Sequence, residues 1–196
     1  MSTMRASPTA FPETVDTERL HLRRWRPDDR EAHAAIWADP DVWESLYAGA
    51  PGDPAEVAAE SFDRHLRHWE EHGWGTWAAI DPASGELAGW LGASHPTFIP
   101  DVAHEIEVGW TLRRNLWGRG LATEGAKAAV EAASTHLAPP RLISLILPTN
   151  PRSIAVAERL GMTPADEVTH PELRLKLRVY ELKSSSGASP QSVSSR

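Results

Sequence analysis

Glu107-Val108-Gly109-Trp110, followed by Trp117-Gly118-Arg119-Gly120-Leu121-Ala122-Thr123-Glu124, is the stretch that decides the fold of this chain. From His104 to Leu112 charged and apolar residues alternate, and this period of two predicts a strand with one buried face. From Leu121 to about Leu137 the chain is rich in alanine and lacks proline, which predicts a helix. The two elements are therefore joined by a glycine loop.

A glycine loop at a helix N-terminus is typical of a phosphate site. The first backbone N–H groups of the helix have no internal partner and lie at the positive end of the helix dipole. Gly118 and Gly120 carry no Cβ, so the backbone can approach a ligand closely. A dinucleotide loop would need a third glycine where Thr123 stands, and the chain has no Gly-Lys-Ser/Thr triplet of a nucleoside triphosphate loop. Neither fingerprint fits.

These residues resemble the acetyl-coenzyme A binding core of the GNAT superfamily of N-acetyltransferases, and more narrowly the branch that contains the ribosomal-protein-alanine N-acetyltransferases. In that family the loop follows Gln/Arg-x-x-Gly-x-Gly/Ala and holds the pyrophosphate of coenzyme A, while the pantetheine arm lies along the preceding strand. Gly118 and Gly120 match this pattern. Asn115 stands at its first position, so Arg113, Arg114 or Arg119 would supply the positive charge.

A second motif, Asn150-x-x-Ser153, strengthens the resemblance. In the family the helix that follows lies beside the thioester, with the Asn and Ser reaching the pantetheine and the sulfur. Many members place a Tyr acid seven residues after the Asn, where this chain has Ala157. Ser153 is then the expected partner of the leaving thiolate, and its alternative role is helix capping. The resemblance implies a cofactor site made of Val108, Trp110, Arg114, Asn115, Trp117, Gly118, Arg119, Gly120, Ala122, Thr123, Asn150 and Ser153.

Acetyl transfer to an amine needs a base, because an amine with a pKa near ~10 is mostly protonated at neutral pH. We expect Glu107 to be that base and Glu105, on the same strand face, to be the second candidate. Both could instead be ordinary hydrogen-bonding carboxylates. The backbone N–H of Val108 or Trp110 is the expected donor to the thioester oxygen. No covalent nucleophile is required, so we expect direct attack in a ternary complex.

The acceptor side carries weaker signals. His170 falls in a loop that often shapes the acceptor site in this family, and Trp43 is a candidate wall of the same pocket. His68 and His72 have the spacing of a metal-ligand pair, but no third ligand is evident. We therefore expect a histidine-rich exposed helix face and no metal. No motif identifies the acceptor.

The order of predicted elements gives the fold class. We expect an α/β (α+β) protein with a mixed, mostly antiparallel central sheet of about seven strands and helices on both faces, as in the GNAT fold. The predicted domains are a loose N-terminal arm over 1–12, a single acetyltransferase domain over 13–183 and a disordered tail over 184–196. The predicted strands are Thr17–Trp25, Gly75–Ile80, Leu87–Ser94, the strand from His104, Arg141–Leu147 and Leu173–Leu182. The predicted helices are a short one that reaches Ala38 and is ended by Asp39-Pro40, one from Pro54 to about His72 with Gly73 as its stop, one from Leu121 to about Leu137 and one that ends at Leu160. The segment from about Asp39 to Gly52 is predicted as a loop.

The composition bounds the class of protein. The chain has 196 residues, 41% of them hydrophobic, with no cysteine and a formal net charge of −7. That length suits one domain, and the lack of cysteine excludes disulfides and thiol nucleophiles. The negative charge argues against a nucleic-acid surface and suits cationic amines. We see no membrane span and no signal peptide, which together favour a cytoplasmic protein.

We therefore predict an acetyl-CoA-dependent N-acetyltransferase that modifies a primary amine, either on a small molecule or at a protein N-terminus. The alternative is a non-catalytic coenzyme A binding or regulatory module. Ala157 and Asn115 favour that alternative, whereas Glu107 and Ser153 oppose it. A homodimer is an expectation from the resemblance.

Overall fold

The computed structural model describes residues 10–184, and these form one eight-stranded sheet with helices packed on it. The strand order is β1-β2-β3-β4-β5-β6-β8-β7, and every neighbouring pair is antiparallel except β5 with β6. The strands are β1 (Thr14–Asp16), β2 (His21–Arg23), β3 (Thr76–Ile80), β4 (Leu87–Ser94), β5 (Ile106–Leu112), β6 (Arg141–Ile146), β7 (Thr163–Thr169) and β8 (Lys176–Lys183). The helices are α1 (Arg30–Trp37), α2 (Pro40–Tyr47), α3 (Pro54–His72), α4 (Leu121–Ala132) and α5 (Pro151–Arg159).

Two neighbouring residues of β4 show that helices cover both faces of the sheet. Trp90 stacks on Trp37 of α1 with ring centres 5.6 Å apart. Leu91 packs against α4, where a Cβ on Gly125 would lie only 2.8 Å from the leucine side chain. Consecutive side chains of a strand point to opposite faces, so α1 and α4 lie on opposite sides. This arrangement confirms the predicted mixed, mostly antiparallel fold.

The segment from Asp39 to Gly52 differs from its prediction as a loop, because it contains α2. Asp39 accepts hydrogen bonds from the backbone N–H groups of Asp41 and Val42 at 2.9 and 3.3 Å. Pro40 occupies the first turn, where a missing N–H costs nothing. The Asp-Pro pair that ends the first helix therefore also begins the next one.

The N-terminal strand also differs from its prediction as one continuous element. β1 and β2 form a hairpin whose turn is closed by the Thr17 N–H and hydroxyl, both donating to the Leu20 carbonyl at 2.9 and 3.1 Å. This split and β7, a strand that none of the predicted residue ranges covers, give the sheet eight strands where about seven were expected.

Phe11 was expected to lie in a loose arm, and this prediction is wrong for the described part of that arm. Its ring stacks on Trp77 with centres 5.1 Å apart, and the Trp77 indole N–H donates to the Pro12 carbonyl at 3.0 Å. Burying an aromatic ring and satisfying an indole N–H together hold the segment in place. The remainder of the predicted arm, 1–9, and nearly all of the predicted tail, 185–196, lie outside the described residues. Over 10–184, no helix is long and apolar enough to cross a membrane.

Candidate active site

The central feature of the site is a gap between the parallel strands β5 and β6. Their register pairs only Ile106 with Leu142 and Glu107 with Ile143. Beyond these pairs the strands are joined by side chains, because the Ser144 hydroxyl donates to the Val108 carbonyl at 2.6 Å. The gap opens into a cavity of about 690 Å³. Its walls include 107–111 of β5, 144–147 at the end of β6, the start of α5 around Asn150 and Ser153, and one face of α3. The end of α2, the chain that follows β4 and the β7–β8 connection also contribute to the walls.

Two backbone N–H groups of β5 face β6. The N–H and C=O of one residue point to the same edge of a strand, and the edge alternates from residue to residue. Because the Val108 carbonyl faces β6 and accepts from Ser144, the Val108 N–H faces β6 as well. In the parallel register of Glu107 with Ile143, the Val108 N–H donates to the Ile143 carbonyl. The same alternation directs the Trp110 N–H into the gap beyond the last paired residues, where it is available to a ligand that lies beside β5.

The glycine loop leads directly into α4. Gly118 and Gly120 have φ values of 74° and 80°, in the left-handed region that favours glycine, and Gly120 is the N-cap residue of α4. A Cβ on Gly118 would meet nothing within 4 Å, so open space lies in front of the loop. Ala122 and Thr123 follow in the first helical turn, where the backbone N–H groups have no internal partner.

Two arginines reinforce this helix N-terminus. The guanidinium groups of Arg114 and Arg152 lie 5.0 and 5.1 Å from the Trp117 ring centre, and the indole N–H of Trp117 donates to the Leu112 carbonyl at 2.8 Å. Asn115 and Arg119 are exposed on the same loop. Arg114 also donates from Nε to the Asp41 carboxylate at 2.6 Å, which offsets part of its charge. Glycines that admit a ligand, a helix N-terminus and neighbouring arginines suit a diphosphate. Sequence analysis missed Arg152, because its position beside the loop depends on where α5 packs.

The loop is anchored from a distant part of the sequence. Glu124, in the first turn of α4, accepts from the Thr17 hydroxyl at 2.6 Å and from the Arg19 Nε at 2.7 Å. Arg19 also donates from Nη1 to the Arg119 carbonyl at 2.8 Å. These contacts hold the β1–β2 turn against the loop. No sequence signal indicated this pairing.

Asn150 and Ser153 lie at the other side of the gap, in and before the first turn of α5. The Asn150 Oδ1 accepts from the Ser153 N–H at 3.0 Å and caps the helix, while its Nδ2 donates to the Ser45 carbonyl at 2.9 Å. The Ser153 side chain lines the cavity. Ala157 is fully buried one turn later. On α5, the hydroxyl residue that lines the cavity is therefore Ser153, while Asn150 orders the helix start.

Glu107 lies in the cavity wall on the side that faces α3. One carboxylate oxygen accepts from the Leu145 N–H at 3.4 Å. Burial raises the pKa of this carboxyl to about 7, although the Leu145 N–H and the positive charge of Arg64 act in the opposite direction. A carboxyl with a pKa near 7 can exchange a proton at neutral pH, as a general base must.

Glu105 occupies a different environment, although the sequence placed both carboxylates on one strand face. It precedes the first residue of β5, so the strand alternation does not apply to it. Its carboxylate accepts from Arg141 at 2.7 and 3.0 Å, and Arg141 also binds Glu181 at 3.0 Å. Glu105 does not line the cavity. The structure thus makes Glu105 part of an ion-pair network and disfavours it as a base.

The two predicted acceptor residues lie at different depths. His170 lines the cavity and stacks on Phe98 with ring centres 5.9 Å apart. Trp43 stands behind the wall, stacked at 4.2 Å on Tyr47, which lines the cavity. Trp43 therefore supports the pocket and does not face it.

The histidine-rich face of α3 is buried at His65 and His68, contrary to expectation, because α3 packs these residues against β3 and the chain beyond β4; His72, at the end of the helix, is exposed as expected. His68 donates from Nδ1 to the Trp74 carbonyl at 2.8 Å, and its Nε2 accepts from the His95 N–H at 3.0 Å. Burial lowers the pKa of His68 to about 4. His65 is similarly buried, and its Nδ1 shares a hydrogen bond of 2.7 Å with the Thr76 hydroxyl. No group of three or more potential metal ligands occurs in the described part of the chain.

Comparison with known proteins agrees with this geometry. A family model described as an acetyltransferase (GNAT) domain matches residues 19–163. An acetyltransferase from Agrobacterium tumefaciens str. C58 of known structure is 32% identical, with a TM-score of 0.74 over 92% of this chain and 99% of that one. The Bacillus subtilis (strain 168) protein YkkB is 28% identical over 86% of this chain and 94% of its own length. The ribosomal-protein-S5-alanine acetyltransferase from Vibrio fischeri, at 14% identity, shares the fold with a TM-score of 0.68 over 88% of this chain and 97% of its own.

Proposed function

The chain belongs to the GNAT acetyltransferase family, and from that premise we propose that it transfers the acetyl group of acetyl-coenzyme A to a primary amine in a ternary complex. The observation that carries the proposal is the position of Glu107. Its carboxylate stands in the cavity wall at the last paired residue of β5, and burial raises its pKa to about 7. The β5–β6 gap and the glycine loop of α4 fit the two parts of coenzyme A, a thin pantetheine arm and a diphosphate.

Acetyl-coenzyme A supplies the acetyl group as a thioester, which an amine attacks without help from a covalent nucleophile. Glu107 would take a proton from the incoming ammonium, so that the free amine can attack. Of the two candidate donors, the Trp110 N–H, which lies beyond the last ladder pair, would donate to the thioester oxygen, where negative charge develops. Ser153 would donate its hydroxyl proton in a hydrogen bond to the departing sulfur. Its place on the cavity wall supports that role.

Binding and turnover test separate parts of this proposal. Release of free thiol from acetyl-CoA is measured across a panel of primary amines and N-terminal peptides, and acetyl-CoA binding is measured by titration calorimetry. We expect binding together with amine-dependent thiol release. Binding without turnover of any amine would favour a coenzyme A binding module, whereas absence of binding would refute the assignment of the loop.

A pair of glycine variants tests the loop with a matched control. Gly118 and Gly85 have φ values of 74° and 73°, and a Cβ on either residue would meet nothing within 4 Å. An alanine at either position therefore brings the same backbone strain of about 1 kcal/mol. We expect Gly118→Ala to weaken acetyl-CoA binding about tenfold or more, and Gly85→Ala, in the β3–β4 turn, to leave it unchanged. Equal affinities in the two variants would contradict the placement of the diphosphate.

A further inference from the structure

One face of α3 forms the acceptor side of the cavity over the whole length of the helix. Its lining residues recur every three or four positions, as the helical period requires. Most charged groups on this side are carboxylates, and the cations among the lining residues other than histidine are Arg64 and Arg67. The lining carboxylates are Asp53, Glu56, Glu60, Glu71, Glu107 and Glu172.

Arg64 stands out within this wall. Its guanidinium lies over the Phe98 ring at 5.5 Å, and its nearest carboxylate is that of Glu60, at 3.7 Å. Within residues 10–184, that ion pair is the one the side chain makes, and it makes no hydrogen bond. A guanidinium carries five N–H donors in a planar fork. Arg64 is thus held by stacking, with its donors available on the cavity side.

Arg64 lines the same cavity as the proposed base, Glu107, and as Tyr47. Its positive charge acts to lower the pKa of the Glu107 carboxyl, against the effect of burial. An acceptor whose amine reaches Glu107 therefore occupies the cavity that the guanidinium also lines. A carboxylate on that acceptor would find a bidentate partner in the guanidinium.

We propose that the acceptor carries a carboxylate near its primary amine and that Arg64 binds this carboxylate while the amine faces Glu107. This inference rests on the proposed acetyltransferase function and adds a substrate class to it. The acceptor is thus an amino acid, or a peptide N-terminus followed by an acidic side chain, and not a simple alkylamine.

The charges of the wall favour a zwitterion over other anions. The carboxylates of α3 attract the ammonium group of the acceptor, whereas they repel a molecule with net negative charge. A carboxylate carries one negative charge, which the ammonium of the same molecule balances. A phosphate monoester carries up to two negative charges, which a single ammonium group balances only in part. We therefore assign the Arg64 subsite to a carboxylate.

The test compares matched acceptors in wild type and three variants. The panel pairs glycine, β-alanine, 4-aminobutyrate and phenylalanine with their carboxamides and with the corresponding plain amines, and adds 2-aminoethylphosphonate and the peptides Ser-Glu-Ala and Ser-Gln-Ala. For the best carboxylate acceptor we expect Arg64→Gln to lower kcat/KM by about 10- to 100-fold, as loss of a charge-assisted hydrogen bond does. Arg64→Lys keeps the charge without the fork and should restore part of that loss.

Arg159→Gln is the control, because it removes the same charge from an exposed helix side chain that does not line the cavity. We expect kcat/KM for the carboxylate acceptor to change by less than about threefold, and the preference for carboxylate over carboxamide to stay the same. Equal losses in the Arg64→Gln and Arg159→Gln variants would indicate a general effect of charge and would overturn the inference.

A binding readout separates this inference from the proposed function. Saturation-transfer NMR with N-acetylated amino acids and coenzyme A should show binding to wild type and its loss in Arg64→Gln. If plain amines are acetylated as well as amino acids, or if the phosphonate is preferred, the carboxylate subsite is refuted while acetyl transfer stands. If no acceptor reacts and no N-acetylated amino acid binds, both fail. Preference for Ser-Glu-Ala over free amino acids would identify the peptide as the source of the carboxylate.

Discussion

Replacing Glu107 with glutamine is expected to remove most of the activity and, at alkaline pH, to stabilise the protein. Glutamine has nearly the shape of glutamate and keeps an oxygen that can accept from the Leu145 N–H. It cannot take a proton from the amine. Loss of a general base typically costs 10²- to 10⁴-fold, so we expect kcat/KM to fall by about that factor.

The effect on stability follows from the pKa of the carboxyl. Burial raises it from 4.5 to about 7, which corresponds to about 3 kcal/mol of disfavoured ionisation. The folded state binds this proton more tightly than the unfolded chain does. The free energy of unfolding of wild type therefore falls by about that amount as pH rises from about 4.5 through 7. Glutamine does not titrate. The free energy of unfolding of Glu107→Gln should therefore equal that of wild type at pH 4.5 and exceed it by up to about 3 kcal/mol at pH 8.5. The difference is smaller if water in the cavity solvates the charge of Glu107.

Two assays check this reasoning. Wild-type kcat/KM should rise with pH through an apparent pKa near 7, and thermal unfolding at pH 4.5 and 8.5 should show a gain in Tm for the variant at pH 8.5 only. Glu105→Gln is the control: it should keep the pH profile while losing the ion pair with Arg141. An active Glu107→Gln enzyme would refute the role of base. A variant that is equally or less stable at pH 8.5 would refute the buried-charge argument.

Three further changes probe the cavity and the core. Gly109→Ala would place a methyl group in the cavity where nothing lies within 4 Å. We therefore expect an unchanged Tm but a higher KM for the acceptor. A large loss of Tm would contradict this. Ser153→Ala should lower kcat about tenfold, as loss of one hydrogen bond of ~1 kcal/mol or more does, while calorimetry shows unchanged coenzyme A binding; unchanged kcat would argue for a capping role alone. Arg23→Gln removes both 2.7 Å hydrogen bonds to the buried Asp29 and should cost about 3 kcal/mol in urea unfolding at pH 7. Burial alone would raise the pKa of Asp29, but Arg23 and Arg26 hold it below 3.8. The cost of Arg23→Gln should therefore shrink as pH falls below about 4, where Asp29 becomes protonated. A cost that does not change with pH would contradict the ion-pair argument.

The local sequence pattern predicted a secondary-structure element correctly wherever that element depends mainly on its own residues. The alternation through β5 and the alanine-rich stretch of α4 predicted both elements, and the glycines between them predicted the left-handed backbone at Gly118 and Gly120. Pro54 and Gly73 similarly marked the two ends of α3. Capping, turns and hydrophobic period act within a few residues, so the sequence displays them directly.

Predictions failed where burial depends on distant partners. Phe11 and the histidines of α3 have polar or irregular neighbours in sequence, yet Phe11 packs on Trp77, and His68 is enclosed by Trp74 and His95. The second role of Asp39-Pro40, as the start of α2, was hidden because the same pair also ends a helix. In each case the deciding contact joins residues that local periodicity does not relate.

The sequence by itself determined the family, the order of most elements and the identity of Glu107 as the leading candidate for the base. Only the tertiary structure separated Glu107 from Glu105, because the pairing of β5 with β6 places one carboxylate in a cavity wall and leaves the other with Arg141. It also brought Arg152 beside Trp117 and placed Arg64 and Glu107 in the walls of one cavity. A charge acquires its role from solvent access and from the charges around it, and both are set by how distant segments pack.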